Sequence, residues 1–144
     1  MMKNVLFAAI AATSIGILFN VQRRNLLFAG INGGLGYLFY SITVAKGFES
    51  YVGMLTASIA MSVFAEIVAR LRKAPASVFL AVALIPVVPG GAMFRFVLSL
   101  LEGDYELAFT YGIQTTLEAG ALAIGIIVVS SFTKVLIRKF KQGN

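Results

Sequence analysis

The sequence predicts an all-α fold: a polytopic membrane helix bundle of five transmembrane helices, the fourth broken at Pro86 to Gly91. Three observations carry that expectation. Hydrophobic residues make up 59% of the 144 positions and charged residues only 12%, with a mean hydropathy of +0.91. The 12 basic and 6 acidic side chains are too few to coat a soluble domain. The apolar residues fall into five stretches, at about 5–21, 26–45, 51–69, 76–101 and 107–133, each long enough or nearly so to cross about 30 Å of hydrocarbon. Two prolines and a glycine pair then interrupt the fourth stretch at its centre. Because the connections are short, the chain from 1 to 144 reads as a single transmembrane domain.

Composition also excludes functions. The chain has no Cys and no His, which removes disulfide frameworks, thiolate metal sites, the commonest metal ligand and the usual near-neutral base. It also lacks paired aspartates and any nucleophile beside a credible base, so no metal, no cofactor and no enzyme activity are expected. A net charge of +6 is read as membrane topology, and no nucleic-acid partner is expected, because the basic residues cluster between apolar runs.

The first stretch follows Lys3. A cleaved signal peptide competes with a membrane span there, but its one cleavage-like triplet, Ala9-Ile10-Ala11, comes too early. Arg23 and Arg24 separate the first and second stretches; Lys46 with Glu49 follows the second; Arg70, Arg72 and Lys73 follow the third. Glu102, Asp104 and Glu106 follow the fourth, and Lys134, Arg138, Lys139 and Lys141 close the fifth. This alternation of basic with neutral or acidic loops predicts a multi-pass protein of the cell (inner) membrane, N-terminus outside and C-terminus cytoplasmic. If the fourth stretch were instead a re-entrant hairpin, the basic tail would face outward. With no Trp in the chain, Tyr51 and Tyr105 are the interfacial candidates.

Small residues sit inside the spans. Ala29 with Gly33, Gly30 with Gly34, and Gly112, Thr116 and Gly120 followed by Ala121 and Gly125 make small-xxx-small patterns, which serve helix packing within the bundle or contacts in a homo-oligomer.

The break is the most informative segment. Pro86 and Pro89 withdraw backbone donors, and Gly90 and Gly91 permit angles closed to other residues. Irregular backbone at membrane depth is tolerated where protein encloses it or it lines a wet cavity. Arg95 follows Gly91 by one turn, so a half-helix N-terminus and a guanidinium coincide, a combination suited to a substrate carboxylate. A structural kink, and an Arg paired with a structural acid, are the alternatives. Glu118 lies deep in the fifth stretch and needs a partner or a proton; Tyr111, Gln114 and Thr115 share its helix face. Pairing of Glu118 with Arg95 would satisfy both, and titration of Glu118 during transport is the other role. Glu66 is a second proton-coupling candidate, although an i,i+4 pair with Arg70 explains it without function. Asn32, on a face with Gly36 and Tyr40, is a further candidate for the same cavity, or else an interhelical hydrogen bond. The candidate substrate-binding set is therefore Pro89, Gly90, Gly91, Arg95, Glu118, Gln114, Tyr111 and Asn32.

The run Arg70 to Pro75 ahead of the fourth stretch, the motif Pro86-Val87-Val88-Pro89-Gly90-Gly91, and the short acidic loop with Gly103 and Asp104 carry a resemblance. Over about residues 5–140 the chain resembles the threonine/serine exporter family, specifically its small five-span membrane subunit, equivalent to the C-terminal half of fused exporters. The resemblance implies a larger membrane subunit of the same family as partner. It also implies export of small hydroxy amino acids, or of dicarboxylates such as succinate in split versions, driven by the proton gradient. Only the Pro89-Gly90-Gly91 motif is matched residue by residue. The expected function is thus a transporter subunit for small carboxylate-bearing metabolites, and the competing reading is a non-transporting scaffold that stabilises a partner.

Overall fold

The computed structural model describes residues 2–142, with side chains through Val135. Among the described residues the chain forms six helices and no strand: α1 (Met2–Leu18), α2 (Arg23–Ala45), α3 (Ser50–Arg72), α4 (Ala76–Leu84), α5 (Gly90–Glu102) and α6 (Tyr105–Gln142). The protein is a polytopic helical membrane bundle. Three of the helices, α2, α3 and α6, are each long and apolar enough to cross a bilayer, and α1 is a shorter apolar helix.

Small residues set the packing of α1 on α2. A side chain at Gly30 would strike Thr13, and one at Gly33 would lie 2.5 Å from Ala12 Cβ. The Ala29–Gly33 and Gly30–Gly34 patterns therefore serve contacts within the chain. The core lies between α2, α3, α4 and α6, built from Met54, Ala57, Met61, Ala65, Val68, Phe79, Leu80, Ala83, Val87 and Leu122. Gly36 lets Met61 and Val87 approach α2, and Gly125 lets α6 lie on Ser58 of α3.

Arg72 ties the two basic connections together at one end of the bundle. Its Nε donates to Asn25 Oδ1 at 3.3 Å and its Nη2 to the Arg24 carbonyl at 3.2 Å, while the guanidinium sits 5.4 Å from the Phe28 ring centroid. Lys73 takes the left-handed conformation (φ 51°) that ends α3, and Pro75 opens α4.

The fourth hydrophobic stretch is two helices. α4 ends at Leu84, whose carbonyl accepts from Val87 N (2.8 Å) and Val88 N (2.9 Å), and Gly90 N donates to Val88 O at 2.7 Å. The break comprises 85–89, and Gly90 and Gly91 are the first residues of α5. Neither glycine has a positive φ; that conformation occurs at Gly47 and Gly103. The expectation that the glycine pair supplies unusual backbone angles is corrected: the two prolines suffice to end α4, and φ near −65° at each suits a turn.

α4 packs against α1, α2 and α3, whereas among the described residues α5 packs on α6 alone. α5 and the part of α6 before Glu118 consequently extend away from the rest, while the later part of α6 packs along α3. Ser58 faces Gly125 and Ser50 shares a cavity wall with Glu118, so α3 and α6 run in the same direction. The α3 N-terminus is then level with Glu118, leaving the start of α6 about 20 Å further out at 1.5 Å per residue.

Candidate functional site

A cavity of about 300 Å³ lies at the helix break. α2 contributes Tyr37 and Tyr40 to its wall, α3 Ser50 and Met54, and the break Pro86 to Pro89. α5 adds Gly91, Ala92 and Arg95, and α6 adds Tyr111, Gln114 and Glu118. Local sequence explains each placement. Tyr37 and Tyr40 lie one turn apart on α2, with rings 6.1 Å between centroids, and Gly53 leaves room for the Tyr40 ring. Tyr111, Gln114 and Glu118 recur at helical spacing on one face of α6.

The cavity holds one cationic and one carboxyl-bearing side chain. Glu118 is 3% exposed, and its Oε1 accepts from Gln114 Nε2 at 2.8 Å. The Arg95 guanidinium lies 5.7 Å from the Tyr111 ring centroid, a cation–π contact. Arg95 and Glu118 form no ion pair; among the described residues the one salt bridge is Arg70–Glu66 at 3.7 Å. The expected direct pairing is thus corrected. α5 carries Arg95 down one side of the cavity, and Gln114, one turn before Glu118 on its own helix, occupies the carboxylate instead.

α5 begins without a side-chain cap at Pro89, and Gly91 and Ala92 of its first turn face the cavity. The first N–H groups of a helix have no intrahelical acceptor and carry partial positive charge. A methyl group added at Gly90 or Gly91 would meet nothing within 4 Å. The glycine pair opens onto space rather than onto packed protein.

The cavity gathers Pro89, Gly91, Arg95, Tyr111, Gln114 and Glu118 from the sequence-derived set. It does not include Gly90, which stands beside it. Asn32 is fully buried elsewhere: its Nδ2 donates to the Phe79 carbonyl at 3.2 Å and its Oδ1 has no partner. Glu66 is likewise remote, paired with Arg70 toward the Arg72 end of α3. Thr115 donates to the Tyr111 carbonyl at 2.8 Å and faces away. Sequence reasoning missed Tyr37, Ser50 and Met54. Tyr40, noted only as sharing a face with Asn32, accepts or donates a 3.1 Å hydrogen bond with Ser50 Oγ. The helical spacing of Tyr37 and Tyr40 on a glycine-rich helix was the available signal; Ser50, at a helix start, offered none.

The model of the family described as "Threonine/Serine exporter, ThrE" matches residues 4–132. The chain belongs to the threonine/serine exporter family. A probable threonine/serine exporter of Mycobacterium tuberculosis is 30% identical over 119 residues, 83% of this chain. The chain spans 22% of that relative's length. No solved structure matches the chain. As a member of the threonine/serine exporter family built of apolar helices, it is a multi-pass membrane protein.

Proposed function

We propose that this exporter-family chain is a transporter subunit that moves small carboxylate-bearing metabolites out of the cell through the cavity at the 85–89 break. The observation that carries the reading is the convergence of Arg95, the uncapped start of α5 and Glu118 on one space of about 300 Å³. A carboxylate entering the membrane loses hydration, which converging donors and a cation replace. Arg95 and the first N–H groups of α5 bind the carboxylate, Glu118 carries the coupling proton, and Tyr40 and Ser50 offer hydroxyls to the rest of the ligand. The relative's name supports threonine and serine as substrates; dicarboxylates such as succinate are the alternative within the same class.

The topology proposed is five crossings, with α4 and α5 together making the fourth, the N-terminus outside and the C-terminus cytoplasmic in the cell inner membrane. The clustering of Arg24, Asn25 and Arg72 at one end supports it. We further propose a larger membrane subunit of the same family as partner. The attachment of α5 to α6 alone among the described residues supports that assembly. Counterflow of labelled serine, threonine and succinate into vesicles, with and without whatever large subunit copurifies, tests the reading. Substrate exchange that is abolished by Arg95→Ala is expected, and a full rate in that variant would place the site elsewhere.

A further inference from the structure

Glu118 borders two spaces. Besides the central cavity, a groove of about 310 Å³ runs along the outer side of α6 where it leaves α3, lined by Glu49, Ser50, Tyr51, Thr110, Ile113, Gln114, Leu117 and Glu118. Ser50, Gln114 and Glu118 belong to both walls. They make a thin polar partition, held by the Gln114–Glu118 bond at 2.8 Å and the Tyr40–Ser50 bond at 3.1 Å. Only one oxygen of the Glu118 carboxylate is engaged by Gln114, so the group retains hydrogen-bonding capacity while being 3% exposed.

Charge separates the roles of the two spaces. The central cavity holds Arg95 and accepts an anion; the groove holds Glu49 and Glu118 and no Arg or Lys. A carboxylate substrate is repelled from the groove, whereas a proton or hydrated cation is drawn in. We propose that the groove is a proton-access route to Glu118, separate from the substrate's path, with Glu49 collecting protons at its mouth. The proposal rests on the transport reading above and adds the route to it. The step is simple: the Glu118 carboxylate takes one proton from groove water, becomes a neutral carboxyl, and returns the proton when the partition is reached from the other side. The charged and titratable groups around Glu118 are Arg95 from α5, Tyr37 and Tyr40 from α2, Glu49 and Tyr51 at the start of α3, and Tyr111 on its own helix.

The test uses the full chain, with its copurifying subunit, in vesicles. Thr110→Phe fills the groove without touching the central cavity, because Thr110 lines only the groove and its hydroxyl merely donates to the Glu106 carbonyl. Glu49→Gln removes the carboxylate at the mouth. Uptake of labelled serine or succinate driven by an imposed pH gradient should fall about tenfold in Thr110→Phe and severalfold in Glu49→Gln, while counterflow without a gradient stays within about twofold. Unchanged gradient-driven uptake in both variants overturns the route, and so does an equal fall of uptake and counterflow in both. A second readout does not depend on transport: the infrared carboxyl band that Glu118→Gln abolishes should shift more slowly on transfer to heavy water in Thr110→Phe. An unaltered shift rate, or no such band at any pH, overturns the route. Absence of counterflow in the unmodified protein instead sinks the transport reading, leaving the infrared result to judge the groove.

Discussion

Arg95 and Glu118 face one cavity without touching. The guanidinium rests over the Tyr111 ring and the carboxylate accepts from Gln114, so each charge-bearing group has a neutral partner. A direct ion pair would have to be broken before a ligand could use either member, and that cost is several kcal/mol in a poorly solvated site. The observed arrangement leaves both groups available.

The consequence for a double-mutant cycle is specific. Arg95→Gln and Glu118→Gln should be additive within about 0.5 kcal/mol when thermal stability is measured without substrate. Their effects on transport should be non-additive, because in the proposed function substrate binding at Arg95 and proton carriage by Glu118 serve one cycle. A large coupling in stability would mean that the groups pair directly.

Gln114→Leu should lower stability by about 1–3 kcal/mol, the range for leaving a buried partner unsatisfied. Glu118 is the partner left alone, and it is 3% exposed. Adding Glu118→Leu to that variant should recover part of the loss. Thermal denaturation in detergent measures both, and an unaltered midpoint in the single variant would show that the bond contributes nothing.

The glycines divide into two classes. Gly125→Ala should be destabilising by about 1–3 kcal/mol, since its new methyl group would strike Ser58 and lie 3.2 Å from the Ile59 backbone nitrogen. Gly91→Ala and Gly120→Ala meet open space and should fold normally. A transport defect in folded Gly91→Ala then reports the ligand's approach to the backbone, and unimpaired transport would show that no ligand comes close there.

Single Cys residues at positions 103 and 142 should label from opposite sides of the membrane with an impermeant reagent. Labelling from the same side would show that α6 does not cross, and opposite-side labelling with position 103 inside and position 142 outside would favour a re-entrant fourth segment.

Periodicity and proline placement made the helices and the break legible, because those signals are local: Pro86 and Pro89 end α4 whatever surrounds them. Arg95, Tyr111, Gln114 and Glu118 stood out because polar groups on apolar helices are few. The rest was not local. Ser50 enters the cavity because α3 and α6 run alongside each other, a pairing that no single segment encodes. Asn32 looked equivalent to Tyr40 by spacing, yet its side chain turns to the Phe79 carbonyl of α4. Gln114 was read as one member of a polar stripe; that it replaces Arg95 as the partner of Glu118 depends on the path of α5 after the break.

The unbroken length of α6 has a mechanical meaning. From Tyr105 to Gln142 it is one continuous rod, and Glu118 divides it into arms of about 20 Å and about 36 Å at 1.5 Å per residue. Because the long arm is anchored on α3 at Gly125 and in the core at Leu122, a force on the acidic hairpin tip bears on the helix at Glu118, beside the cavity.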